Sequence, residues 1–289
     1  MIFWRIVDNK VHPIEETDTL GFEKADGLAI PDDYLDRKEF MVMRTAHGIG
    51  DWGIISAMPR LLKEKYPNCK VVVPTKKLIN QLFGKFHNNC DVVFKNNPYV
   101  DEFVDEIEGE VFHDHYRIYD KTKKDNPLLK QMLKFWQFTG KEMDDYQPEM
   151  YWSPKEETLG KAIIKDRTKG KDFGCLLVSE RFGTQMGKHH QESYDKDKKV
   201  MTKVLKENSL PYFYWTYKPL KETEFHFIDG TLDMRNIDLR IQLYIKSKAK
   251  VNISNQCGTN HLVVRYSKCY ESQRQFPLAH NFVKGEIYL

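Results

Sequence analysis

The apolar run Phe40-Met-Val-Met-Arg-Thr45, the glycine-spaced turn Gly48-Ile-Gly50 and the amphipathic stretch up to Pro67 constrain the fold of this chain most. The run reads as a buried strand. Asp51 then opens a helix on which Ile54, Met58, Leu61 and Leu62 follow the i, i+4, i+7, i+8 spacing of one buried face. That helix is predicted to reach Tyr66, with Pro59 inside it removing one hydrogen bond and bending it. A strand that ends in a glycine turn at a helix N-terminus exposes backbone N–H groups and a positive dipole end, which favours phosphate. A carboxylate at the same point either caps the helix or serves as a general base beside the phosphate. Gly48, Gly50 and Gly53 stand at the G-x-G-x-x-G spacing, which alone is a weak signal of dinucleotide binding, and the Walker lysine is missing.

Strand and helix signals alternate along most of the chain. Strands are predicted at 40–45, 70–74 and 91–94, helices at 51–66, 76–86 and, rich in aromatics, 128–138. A polar linker from Ser153 to about Lys171 precedes a second series. Its strands are 174–179, 211–216, 225–229 and 249–254, with a helix carrying Ile237, Ile241, Tyr244 and Ile245 on one face. Such alternation implies parallel strands with crossover helices. Ahead of it, Phe3-Trp-Arg-Ile-Val7, Asp8-Asn-Lys10 and Val11-His-Pro13 suggest a small hairpin followed by an acidic, irregular stretch. The expected division is an appendage at 1–37, one lobe at 38–155 and a second at 156–289.

A chain of 289 residues is long enough for one large or two ordinary domains. No apolar run approaches the ~20 residues that span a bilayer. The first residues lack the charged and apolar regions of a signal peptide, so a cytoplasmic location is expected. Five scattered cysteines without C-x-x-C spacing fit a reducing compartment and argue against structural zinc. A net charge of +3 is nearly balanced. The lysine clusters at 121–124, 161–171 and 196–203 read as solvated faces, with an anionic acceptor or peripheral membrane contact as the alternative.

Three segments resemble, in order and spacing, the heptosyltransferase-like family 9 glycosyltransferases. Gly48-Ile-Gly-Asp51 with Pro59, Leu62-Lys63 and Tyr66-Pro67 resembles the family's N-terminal signature. Asn97-Pro-Tyr-Val-Asp101-Glu102 resembles its "NPYIDE" segment, and Ser254-Asn-Gln-Cys-Gly-Thr-Asn-His-Leu262 its "DTGxxHLA" loop. Gln256 and Cys257 replace the family's Asp-Thr, and the first forty residues have no counterpart. The resemblance implies a GT-B fold: α/β, two Rossmann-like lobes with parallel sheets, and the ligand in the interlobe cleft. It also implies an inverting, metal-independent transfer from a nucleotide-diphosphate sugar such as ADP-heptose to a glycan or lipopolysaccharide-type acceptor, with no cofactor. A transferase acting on DNA bases or another polymer is a rival within the class. A sugar-nucleotide epimerase and an inactive nucleotide-sugar-binding protein are rivals outside it.

Within that reading Asp51 is the candidate base, removing the acceptor hydroxyl proton as its oxygen attacks the anomeric carbon. Gly48 and Gly50 allow close backbone approach. The family's basic residue for the donor diphosphate corresponds to Arg181 or Lys188 in Ser179-Glu-Arg-Phe-Gly-Thr-Gln-Met-Gly-Lys188, since a leaving diphosphate needs its growing charge neutralised. Gly258, Thr259 and Asn260 would turn backbone N–H groups toward a phosphate. Gln256 keeps hydrogen bonding at the donor site but loses the family's charge there, and His261 is either structural or a donor contact. His113, Asp114 and His115 form a polar cluster that is either a surface loop or an acceptor contact. No metal site is expected: H-x-H alone is a weak signal, His189-His190 lacks a third ligand, and Asp195-Lys-Asp197 follows no strand.

Overall fold

The computed structural model describes residues 3–14, 39–43, 48–84, 89–108, 110–114, 146–178, 203–204, 206–208, 210–216, 237–255, 258–272 and 286–288. The chain divides into two compact units, Met1–Tyr151 with Leu278–Lys284 and Trp152–Pro277 with Gly285–Leu289.

In the first unit, β1 (Phe3–Val7) and β2 (Lys10–Ile14) form the expected hairpin. Asp8 and Asn9 turn it with φ of 45° and 62°, the left-handed pair that matches strand twist. The hairpin does not stand apart. β1 also pairs antiparallel with β6 (Glu110–Asp114), and the Asn9 Oδ1 accepts the Ile107 N–H at 2.8 Å.

A parallel sheet of order β3-β4-β5 follows, from Glu39–Met41, Lys70–Pro74 and Glu102–Val104. Val71, Val72 and Val73 are all buried, as a strand covered on both faces requires. The predicted 51–66 helix is two helices, α1 (Ile49–Ile54) and α2 (Met58–Lys65). Between them Ile55, Ser56 and Met58 donate three residues back, to Trp52, Gly53 and Ile55. Pro59 therefore breaks the helix instead of bending it. It sits in the first turn of α2, where a missing N–H leaves nothing unsatisfied.

After α3 (Lys76–Phe83), the predicted strand at 91–94 is instead the helix α4 (Cys90–Phe94). Cys90, Val93 and Phe94 are buried while Asp91 is exposed, an i, i+3, i+4 face that a five-residue apolar run does not distinguish from a strand. Its Phe94 meets the buried Trp52 of α1 edge-on, with ring centroids 6.3 Å apart.

The second unit opens with a further correction. The supposed linker is α5 (Pro154–Thr168), a 15-residue helix. Ser153 and Glu156 close a reciprocal capping box, Pro154 takes the first turn, and Lys169 ends the helix with φ of 51°. A five-stranded, wholly parallel sheet stands beside it: β7 (Gly174–Val178), β8 (Tyr212–Thr216), β9 (Val251–Asn255), β10 (Lys268–Ser272) and β11 (Glu286–Tyr288). Sequence reading found the first three of these and missed the last two. α6 (Leu239–Lys248) carries Ile241 and Ile245 into a core with Phe173, Cys175, Leu177 and Phe213. Tyr244 fills the space that a side chain at Gly160 of α5 would need. The expected helix at 128–138 and strand at 225–229 lie outside the described residues, as does the stretch 15–38.

Candidate functional site

The strand order of the second sheet is β11-β10-β9-β7-β8. Renumbered from its first strand this is the doubly wound order 2-1-3-4-5, whose direction of winding reverses between β7 and β9. Connections leaving the carboxyl ends of those two strands diverge, and ligands of open α/β sheets bind in the crevice this creates. β7 ends at Val178 and leads into 179–190, the segment with Arg181 and Lys188. β9 ends at Asn255 and leads through Gln256 and Cys257 into α7 (Gly258–His261). Leu177 and Ser254 are partners in the ladder, so both departures lie side by side at one edge of the sheet. The two donor-side segments picked out by sequence therefore leave neighbouring strands. Arg181, Lys188 and Gln256 themselves lie outside the described residues.

Residues 258–261 are built on a buried polar network. Asn260 donates from Nδ2 to the Ser254 hydroxyl at 2.7 Å and to the Tyr270 carbonyl at 3.3 Å. Its Oδ1 accepts from the Lys246 ammonium at 2.7 Å, and Thr259 Oγ1 accepts from the same group at 3.0 Å. Beneath these, Asn252 donates to the Lys246 carbonyl and the Ser267 hydroxyl. Gly258 and Thr259 remain half-buried at the top, while Asn260 and His261 are buried. Sequence reading missed Lys246. A lysine near the end of an amphipathic helix ordinarily signals a solvated face, and nothing in its spacing marks it as buried.

Helix α5 is pinned to α6 within this unit. The Glu156 carboxylate and Arg240 guanidinium meet with both side chains largely buried. Burial opposes ionisation of Glu156, but the guanidinium and the Ser153 N–H and hydroxyl outweigh it and hold the group at about 2. Burial alone pushes the Cys175 thiol strongly upward, which leaves it an inert core residue.

In the first unit Gly48 precedes α1 and its carbonyl accepts the Trp52 N–H at 3.4 Å, which puts Gly50 and Asp51 in the opening turn. The placement suits a carboxylate near a helix N-terminus, whether as cap or as base. A buried network holds the α1–α2 corner. Ser56 donates to the Gly53 carbonyl at 2.7 Å and accepts the Glu149 N–H at 2.7 Å. The Glu149 carboxylate accepts from Arg60 Nε at 2.7 Å and from the Tyr151 hydroxyl at 2.8 Å. The Asn97–Glu102 segment is architectural. Asn97 Oδ1 accepts the Tyr99 N–H, and Asp101 binds both the Val71 N–H and the Lys63 ammonium, each at 2.6 Å.

His113 and Asp114 are not in a loop but on strand β6, opposite Trp4 and Phe3 of the hairpin, while His115 lies outside the described residues. Among the described residues no three His, Cys, Asp or Glu side chains gather as metal ligands, and no helix is long and apolar enough to cross a membrane.

Neither protein-family models nor curated proteins give a match to the sequence. Solved structures do. A family 9 glycosyl transferase from Veillonella parvula superposes with a TM-score of 0.57 at 10% identity, over 88% of this chain and 86% of that one. The chain has the glycosyltransferase GT-B fold. The ADP-heptose lipopolysaccharide heptosyltransferase II of Escherichia coli gives 0.50 at 9% identity, over 88% and 90%. The iron-containing dodecameric glycosyltransferase TibC of enterotoxigenic E. coli gives 0.51 at 10% identity, over 90% of this chain but 63% of its own length. At such identities the similarity is one of fold and says nothing of substrates.

Proposed function

We propose that this protein is a glycosyltransferase that moves a sugar from a nucleotide-diphosphate donor to a glycan-type acceptor. The observation that carries the reading is the switch between β7 and β9: the two segments nominated for the donor leave the two strands that flank it. The fold similarity to three glycosyltransferases points the same way. In this reading the donor's phosphates rest against residues 258–260, and Arg181 or Lys188 neutralises the charge of the departing diphosphate. Asp51 accepts the acceptor's hydroxyl proton as the oxygen attacks the anomeric carbon from the face opposite the leaving group, which inverts that centre. Basic side chains and backbone N–H groups carry the load of a metal, so neither metal nor cofactor is required.

The donor is ADP-heptose-like by resemblance, and the acceptor a lipopolysaccharide-type glycan met in the cytoplasm or at a membrane surface. Gln256 in place of an acid is the position most apt to alter the choice of sugar, since it exchanges a charged acceptor of hydrogen bonds for a neutral amide. Thermal-shift measurement of the purified chain against nucleoside diphosphates and nucleotide sugars, followed by assay of donor hydrolysis, tests the reading. Stabilisation by one nucleoside diphosphate and release of that diphosphate from its sugar are expected. An absence of any stabilisation across the panel would sink the proposal, and rearrangement of the sugar without transfer would favour an epimerase.

A further inference from the structure

We infer that Lys246 is a positioning residue for a diphosphate held at residues 258–260, fixing Thr259 and Asn260 and placing a positive charge directly beneath them. The inference rests on the donor reading above. It starts from a geometric fact: Lys246 is only 3% exposed, and among the described residues its ammonium has two partners, the Thr259 hydroxyl and the Asn260 amide oxygen. Asn260 spends its own N–H groups on Ser254 and Tyr270, so its oxygen is the atom that must face the lysine. Asn260 is itself tied to Ser254, the fourth residue of the five in β9, so the amide that the lysine holds lies toward the carboxyl end of that strand.

Both partners are neutral. Among the described residues Lys246 forms no ion pair, in contrast to Arg240 one helical turn and a half earlier, whose charge Glu156 answers. From Leu239 to Tyr270 the chain carries six Lys or Arg residues and not one Asp or Glu. The first acid beyond is Glu271. It is buried and in ladder register with Ser254, but it makes no ion pair with Lys246. Removing an ammonium from water is costly unless an anion or several strong acceptors meet it. A methionine of similar length would fill the same space without that cost, so packing does not call for a lysine here. A bound diphosphate supplies the missing negative charge. Because the ammonium is buried, salt screens its attraction less than that of a surface lysine.

Titration calorimetry of the full chain and of Lys246→Met, with ADP, UDP, GDP, CDP and inorganic pyrophosphate set against the matching nucleosides, tests the role. The variant should bind the preferred diphosphate at least about tenfold more weakly, as expected for a lost interaction with a charged group. Nucleoside affinity should not change, and the gap between wild type and variant should persist at high salt. Equal losses for diphosphate and nucleoside would mean that the lysine only supports the fold, and undiminished diphosphate binding would mean that its charge is not felt; either overturns the inference while leaving the donor reading intact. Failure of the wild type to bind any diphosphate removes the donor reading and this inference together. Should Lys246→Met not fold, Lys246→Gln keeps a hydrogen-bond donor for Thr259 and Asn260 while removing the charge. The same selective loss of diphosphate binding is then expected, and wild-type affinity in that variant overturns the inference.

Discussion

The Arg240 guanidinium of α6 donates two hydrogen bonds to the Glu156 carboxylate of α5, from Nε at 2.6 Å and from the second nitrogen at 3.2 Å. The pair spans 84 residues of sequence and is the polar half of a contact whose apolar half is Tyr244 lying against Gly160. Trp152 completes it, donating its indole N–H to the Arg240 carbonyl at 3.0 Å and meeting Tyr244 edge-on. Glu156 also closes the capping box that starts α5, so one carboxylate both begins the helix and docks it.

Arg240→Ala should therefore destabilise the second unit by about 3 kcal/mol, because it leaves a buried carboxylate without its counter-charge. The pH dependence follows from the same pair. Glu156 titrates at about 2 in the folded chain against 4.5 for the free side chain. Its contribution is present in full above pH 4.5 and is lost as the pH falls from there toward 2. Denaturant unfolding of wild type and Arg240→Ala at neutral pH and at pH 3 measures both effects. The two should differ less at pH 3, and a constant difference would show that the carboxylate is not the partner that matters.

Asp51→Asn should leave folding and nucleotide affinity nearly unchanged while transfer falls by ~10²–10⁴-fold, the usual worth of a positioned general base. The motive is a single carboxylate in the opening turn of α1, straight after the glycine turn. Initial rates with saturating donor settle it. Near-wild-type transfer would reduce Asp51 to a helix cap, a role that asparagine fills as well.

How much of this was legible beforehand differs between core and corner. β4 and β7 to β9 announce themselves as short apolar runs, and the hairpin by its Asp8-Asn9 turn. Errors arose where a local signal competes with length. Cys90–Phe94 is as apolar as a strand, and only the exposure of Asp91 against the burial of Val93 and Phe94 reveals a helical face. Pro154–Thr168 looked like a linker because charge dominates it, although Ser153-Pro154 with Glu156 is a helix start written out in full. β10 and β11 complete a parallel sheet by pairing along one edge, a non-local fact that their composition does not carry. The two segments proposed for the donor stood out in the sequence as motifs. Their adjacency did not, since it depends on β9 being laid against β7 and not beside β8.

Lys188→Ala and Arg181→Ala should each weaken a nucleoside diphosphate more than its nucleoside, because their proposed partner is phosphate. A lost charge-assisted hydrogen bond corresponds to roughly 1.5–3 kcal/mol, or about tenfold and more in affinity. Titrating both ligands against each variant separates the roles. An equal loss for the two ligands, or none, would return that residue to the status of a surface side chain.

The last prediction concerns metal. Asp195-Lys-Asp197 is the one D-x-D string that resembles the metal-binding pair of other glycosyltransferases, but lysines flank it and no apolar run precedes it. The roles a divalent cation would fill are assigned instead to Arg181, Lys188 and the residues at 258–260, and a buried ammonium already stands at Thr259 and Asn260. A Lewis-acid metal is worth several kcal/mol of charge stabilisation, so its removal from a dependent enzyme lowers the rate by orders of magnitude. Transfer should accordingly survive excess EDTA with less than about a twofold change, far under that loss. Abolition by EDTA with rescue by Mg²⁺ or Mn²⁺ would instead mean that the basic side chains do not suffice, and would direct attention back to Asp195 and Asp197.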